Sequence, residues 1–354
     1  MNLVMTLLVR DEADIVDAQL AYHLRAGVDF VIATDNRSQD ATTEILERYE
    51  AQGFVHLIRE PGEDLRQSEW VTRMARLAAT EFGADWVINS DVDEFWFAHE
   101  GSLKEVLAAV PERFGVVRGA WRVFVPRPDD ERFFAERMTV RLCSPAYHDH
   151  PFSTDSKSAH RAVPDVRVGR GNHEAFADRL LPLRGWFPIE VFHFPIRSLD
   201  QCTRKYVTQF LALERNAEKG IPGIVADAYG AYVTGRPEDF YEPFVVDDAE
   251  VERGIADGTL AIDTRLRDVL RTLSPEEDEG ERRFAPPSRE EPAFAFARPR
   301  VVDRVLYAAE TSIIPEADLA QTLGARIEDM ESRVDRMGRS PIARLKSALS
   351  RGRP

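Results

Sequence analysis

Cysteine is nearly absent: Cys143 and Cys202 are the only two in 354 residues, far apart and in no Cys-x-x-Cys or Cys/His spacing. That excludes a disulfide scaffold and a zinc finger and fits a reducing cytoplasm. Long apolar runs are also missing. The apolar start, Met1 to Val9, has no basic leader and no small-residue cleavage site before Arg10-Asp11-Glu12, so it reads as a strand. No run approaches the roughly eighteen apolar residues of a membrane span. Basic charge is outweighed, with 46 Lys and Arg against 61 Asp and Glu and a net charge of -15. Nucleic-acid binding, which needs a basic footprint to displace counterions, is thereby excluded. A phosphate-bearing ligand would need local help from metal or arginine. No Gly-x-Gly-x-x-Gly follows the first strand and no Gly-Lys-Ser/Thr occurs, which removes the dinucleotide fingerprint and the phosphate loop.

What is present is an alternation of elements. Leu3 to Val9 is a strand-length apolar run, followed by a helix with Val16, Leu20 and Leu24 on one face and Gly27 at its end. Asp29 to Thr34 is a second strand, a polar loop from Asp35 opens a second helix, Phe54 to Ile58 is a third strand, and Gln67 to Phe82 a long helix with Trp70, Met74, Leu77 and Ala78 in a stripe. Trp86 to Ser90 is the fourth strand. This order predicts an α/β fold with a doubly wound, mostly parallel sheet, which binds ligands outside the carboxyl ends of its strands. Three polar clusters fall at those ends: Arg10-Asp11-Glu12, Asp35 to Asp40, and Asp91-Val-Asp93-Glu94. In an extended backbone Asp91 and Asp93 share a side, and carboxylates so spaced suit a hard divalent cation completed by substrate phosphates. An acidic turn capping the next helix is the alternative. Glu94 is read as bracing the loop.

Val9-Arg-Asp-Glu-Ala-Asp-Ile15 with Tyr22-His23 and Gly27, then Asp35-Asn-Arg-Ser-Gln-Asp40-Ala-Thr42, then Asp91-Val-Asp-Glu-Phe95 together resemble the nucleotide-binding half of the A-type glycosyltransferase fold, in its family 2 branch and relatives. The resemblance covers the first hundred residues. It implies that Asp35 contacts the donor base, Asp91 lies near the donor ribose and Asp93 coordinates Mn²⁺ or Mg²⁺. Arg66, ahead of the long helix, is implied as a donor-binding arginine, with an exposed helix-start arginine as the alternative.

In the second half a helix is expected from Ser102 to Val110, and strands at Val116 to Val125 and Met138 to Leu142. Between Ala146 and His173 regularity fades and polar residues crowd in, which suggests the acceptor side or a surface excursion. Glu190-Val-Phe-His193-Phe-Pro-Ile-Arg197-Ser198 precedes a helix through Tyr206, Phe210 and Leu213. In glycosyltransferases of this kind such a histidine strand returns to the donor site, so His193 is expected beside Asp93 in the metal shell, and Lys157 or Arg197 as partner of the leaving diphosphate. Inversion, which the resemblance suggests, needs one general base. Glu174 is the first candidate, with Asp149 and Asp155 as rivals.

The catalytic domain is expected over 1–273, with 1–100 as nucleotide-binding half and 101–273 as acceptor half. A charged, Pro-rich linker over 274–300 and a helical tail over 301–354 complete the chain. Leu319, Leu323, Ile327, Met330, Val334 and Met337 suit an amphipathic helix that dimerises or docks back. The arginine-rich end from Arg339 reads as a frayed tail or a peripheral contact with the inner face of the membrane. The expected activity is transfer of a sugar from a nucleoside diphosphate sugar, a UDP-sugar, to a hydroxyl on a carbohydrate, lipid or small molecule. A metal-dependent nucleotidyltransferase and a non-catalytic scaffold are the rivals.

Overall fold

The computed structural model describes residues 1–62, 66–143, 156–215, 220–274 and 283–298, with scattered positions between 300 and 327. The first half alternates as its apolar periodicity requires: β1 (Leu3–Val9), α1 (Val16–Arg25), β2 (Phe30–Asp35), α2 (Thr42–Ala51), β3 (Val55–Arg59), α3 (Gln67–Thr80) and β4 (Trp86–Asp91). The chain continues through β5 (Glu94–Ala98), α4 (Leu103–Ala108), β6 (Val116–Val123), α5 (Phe134–Arg137), β7 (Val140–Leu142), β8 (Ser156–Arg161), β9 (Arg167–Val168), β10 (Ala175–Phe176) and β11 (Ile189–His193). It closes with α6 (Leu199–Glu214), α7 (Gly223–Val233), α8 (Glu238–Tyr241), α9 (Asp248–Asp257), β12 (Leu260–Ile262) and α10 (Arg265–Leu273).

Eight strands form one sheet in the order β3-β2-β1-β4-β8-β6-β11-β5. β3, β2, β1 and β4 pair in parallel, β6 and β11 share their direction, and β8 and β5 run against it. This is the expected α/β, mostly parallel sheet. Its register places Val9 opposite Asp35 and Leu8 opposite Asp91, so β1, β2 and β4 end level with one another. β8 falls within the stretch that looked irregular. Its residues Ser156-Lys-Ser-Ala-His-Arg161 carry no apolar signature, yet five of the six are buried because β8 sits between β4 and β6 in mid-sheet.

α1 is buried along nearly its whole length, Val16 to Leu24, because the sheet covers one face and the segment 283–298 the other. Phe294 and Phe296 pack on Tyr22, Phe284 donates its amide to Asp17, and Phe294 donates to the carbonyl of Arg25. Residues 283–298 of the stretch expected as a linker therefore lie on the core. α4 starts at Ser102 with a full capping box to Glu105, a device worth about 1 kcal/mol. Most of the expected amphipathic tail, its dimerisation and its basic end lie outside the described residues. No helix among the described residues is long and apolar enough to cross a membrane.

His23, part of the sequence pattern around Tyr22 and Gly27, has a structural task. Its Nε2 accepts the Trp96 amide at 3.0 Å, so Nδ1 carries the proton and donates to the carbonyl of Gln19 at 2.8 Å. Burial lowers this imidazole to about 4 from an ordinary 6.5. Its share of stability is therefore full above 6.5 and is lost as pH falls toward 4, up to about 3 kcal/mol for this one group. Nitrogen-15 NMR of the ring is expected to show the neutral Nδ1–H form from pH 7 to pH 5. Titration near 6.5 would contradict it.

Candidate functional site

The loops after β1 and β2 are stitched together. The amides of Asp11, Glu12 and Ala13 donate to Ser38 Oγ, Thr42 Oγ1 and Asp40 Oδ2 at 2.9–3.0 Å, and Gln39 N donates to Asp11 Oδ1 at 2.6 Å. Asp11 and Arg37 hold left-handed backbone, φ 55° and 61°. Non-glycine residues held in this region concentrate where surrounding structure over-determines a functional loop. Asp35 organises the second loop: its Oδ1 accepts from the amide and hydroxyl of Ser38, and Oδ2 from Thr43. Three of about four acceptor sites on that carboxylate are used. Beside it, Asn36 donates to the carbonyl of Gly62 at 2.8 Å, on the wall of a cleft of about 600 Å³ lined by Glu60, Pro61, Gly62, Arg66 and Trp70 among others. Arg66 sits at the N-cap of α3, half exposed, 3.8 Å from Glu69.

β4 ends at Asp91, and Val92-Asp93 is a turn before β5. The extended backbone expected here is therefore broken, and the two aspartates engage different partners. Asp91 Oδ1 accepts from Asn172 Nδ2 at 3.0 Å and Gln67 Nε2 at 3.3 Å, and Oδ2 from Lys157 Nζ at 2.6 Å. Glu94 braces the same loop, accepting from the Asp91 amide, the Trp121 indole and Lys157. Burial raises Glu94 to about 8 against the lowering pull of Lys157. Lys157 itself is 2% exposed, and its three protons go to Asp91, Glu94 and the carbonyl of Gly171. It has none to offer a diphosphate. The expectation for Lys157 is corrected accordingly: it is the cation that holds two carboxylates in one loop.

Gly171 and Asn172 are consecutive left-handed residues, and a Cβ on Gly171 would lie 2.5 Å from His173 Nε2, so glycine is required there. This Gly-Asn pair, read from sequence as acceptor side, is what fixes Asp91. Glu174 comes two residues later but is buried and ion-paired with Arg118, which is likewise buried. A base must reach the acceptor hydroxyl, so Glu174 does not fit that role. Asp149 and Asp155 lie outside the described residues.

Asp93 meets the second half of the chain. Its carbonyl accepts the amide of Phe194 at 2.9 Å, and His193 pairs in register with Glu94, which brings His193 Nε2 to 3.6 Å from Asp93 Oδ2. His193 stacks on Trp121 at 4.3 Å. The two residues expected as metal ligands thus lie side by side. The resemblance implies a Ser-x-x-x-x-x-Lys/Arg helix returning to the donor site after the histidine strand, but the sequence does not single out Lys205 on α6, whose Nζ lies 2.5 Å from the same Oδ2 and 3.1 Å from the carbonyl of Pro195. Although burial works the other way, Lys205 and then His193 hold Asp93 well below the usual carboxylate range. A divalent cation at Asp93 would sit against the Lys205 ammonium, which already occupies the carboxylate oxygen that faces His193. Asp93, His193 and Lys205 in this arrangement do not fit a metal shell.

Arg197 is also placed differently from expectation. It is 1% exposed, with Nε and Nη2 on Asp14 at 2.7 and 3.0 Å, Nη2 on Glu12 and Nη1 on the carbonyl of Phe194. It clamps the loop after β1 to the start of α6 and is closed to phosphate. Glu12 and Asp14 belong to the Val9–Ile15 motif, and a buried arginine reached from a helix start is invisible to local pattern.

Residues 6–114, under a third of the chain, match the profile of glycosyltransferase family 92. The chain carries a glycosyltransferase domain. The match does not bear on the family 2 branch. No curated protein matches. Among solved structures, TarS 1-349 of S. aureus is 11% identical with a TM-score of 0.31 over 61% of this chain and 71% of that one. Its complex with UDP-GlcNAc is 10% identical, with a TM-score of 0.32 over 59% and 66%. Glucosyl-3-phosphoglycerate synthase from Mycobacterium tuberculosis, with Mn²⁺, UDP and glucosyl-3-phosphoglycerate, is 19% identical with a TM-score of 0.24 over 36% and 44%. Values this low carry no weight for substrate or mechanism.

Proposed function

We propose that this glycosyltransferase moves a sugar from a nucleoside diphosphate sugar, a UDP-sugar, to a hydroxyl acceptor with inversion. The observation that carries the reading is the level ending of β1, β2 and β4, which sets Asp35 and Asp91 on one edge of the sheet, with the cleft by Arg66 beside Asn36. Each of the two carboxylates keeps about one acceptor site beyond its three hydrogen bonds. Asp35 receives the imino N–H of the base and Asp91 a ribose hydroxyl, while Arg66 closes the cleft over the nucleoside. Both carboxylates are pre-ordered by neighbours, so little orientation is left to be lost on binding. Inversion needs a base on the acceptor face, and Asp149 and Asp155 remain the candidates. The acidic loop after β1 speaks against the nucleotidyltransferase alternative. Cys143 and Cys202 are buried free thiols, which supports a cytoplasmic setting.

The purified chain, given a panel of nucleotide sugars, is expected to release nucleoside diphosphate slowly from a UDP-sugar and to leave nucleoside triphosphates intact. Pyrophosphate release from a triphosphate, with no turnover of any nucleotide sugar, would overturn the proposal.

A further inference from the structure

The place beside Asp93 where a cation is wanted already holds one. Lys205 projects from the second turn of α6, whose start is fixed by the Ser198 N-cap and by Arg197. Its Nζ donates to Asp93 Oδ2 at 2.5 Å and to the carbonyl of Pro195 at 3.1 Å, and the side chain remains 28% exposed. The contrast with Lys157 decides what each lysine does. Lys157 is sealed with three acceptors for three protons. Lys205 has two acceptors among the described residues, leaving a third proton for a ligand. A carboxylate and a backbone carbonyl fix the ammonium in position, as they would fix a metal ion, and the turn at Val92-Asp93 sets it on the β4 end of the sheet, next to the Asp91 loop.

We propose, building on the nucleotide-sugar reading, that Lys205 is the cation for the donor's diphosphate and that transfer proceeds without a divalent metal. As the acceptor oxygen forms its bond to the anomeric carbon, the bond from that carbon to the β-phosphate oxygen breaks and its electron pair leaves with the diphosphate. The acceptor hydroxyl loses its proton to a base on the acceptor side. The leaving diphosphate gains one negative charge, and the third proton of Lys205 meets it. A fixed donor aimed at developing charge is worth about 10²–10³ in rate. Asp93 and Pro195 act as positioning groups for that ammonium, and His193, stacked on Trp121, fills the remaining side of Asp93 without being a ligand.

Calorimetric titration of the full chain with UDP and with uridine, in EDTA and separately in MnCl₂, tests this. UDP is expected to bind in EDTA within about twofold of its affinity in Mn²⁺. Lys205→Ala is expected to lose about tenfold or more in UDP affinity with uridine affinity unchanged, and Lys205→Arg to recover part of it. Unchanged uridine binding shows that the variant is folded. UDP binding that requires Mn²⁺ in the parent chain would overturn the lysine proposal while leaving the nucleotide-sugar reading standing. So would Lys205→Ala binding UDP as the parent does. Failure of UDP and every other nucleoside diphosphate to bind in either buffer would overturn both.

Discussion

Replacing Arg197 with methionine is expected to destabilise the protein by about 3–5 kcal/mol, because it leaves Glu12 buried without its counter-charge and strips Asp14 of a bidentate partner. The guanidinium is 1% exposed, so water does not replace it. Arg204, one turn into α6 and 42% exposed, pairs with an 81% exposed Asp200; its alanine variant is expected to cost under about 1 kcal/mol. Urea unfolding of the two variants gives the comparison. If Arg197 instead met the diphosphate, the methionine variant would unfold nearly as the parent does and lose turnover, an outcome that contradicts the clamp.

Asp93→Ala is expected to lower kcat by about 10²–10³ while changing KM for the donor only about threefold. If Lys205 meets the leaving diphosphate, the Asp93 carboxylate beside it acts by orienting that ammonium toward charge that develops in the transition state, and its loss falls on turnover more than on donor binding. Asp91→Ala is the natural comparison, since loss of the proposed ribose contact raises KM first. Equal effects of the two substitutions on KM would show that Asp93 serves binding and not departure of the leaving group. Steady-state kinetics with a saturating acceptor separates these outcomes.

Most of the scaffold was legible because its elements are fixed by local pattern. The apolar runs Leu3–Val9, Phe30–Asp35 and Trp86–Asp91 are strands buried on both faces, and the four-residue stripe of α3 needed only one sheet to pack on. The meeting of Asp93 with His193 followed from the family resemblance, which implies a histidine strand returning to the donor site, and not from the strand pattern itself. What stayed hidden has a common cause. β8 is buried through tertiary position, with serine, lysine and histidine where an apolar pattern would be sought. The tasks of Lys157, Arg197 and Lys205 depend on partners 66, 185 and 112 residues away, and no spacing rule reaches that far. A lysine in a binding region looks the same in sequence whether its protons are spent inside the fold or offered to a ligand. Only the count of its acceptors separates the two.

The segment 283–298 shows the same limit from the other side. Its prolines and charges read as a linker, but Phe284, Phe294 and Phe296 recur at positions that cover α1. Aromatic residues within a Pro-rich stretch are the signal that could have revealed it.

Nucleoside diphosphate binding at the edge formed by the ends of β1, β2 and β4 underlies both the proposed transfer and the role of Lys205, and thermal melting with added UDP tests it most directly. At a hundredfold excess over its Kd, UDP should stabilise the parent chain by about 2.7 kcal/mol, seen as a rise of several degrees in Tm, and the rise should vanish in Asp35→Ala/Asp91→Ala. An unchanged Tm with UDP and with every other nucleoside diphosphate, in EDTA and in Mn²⁺ alike, would contradict nucleotide binding at this edge.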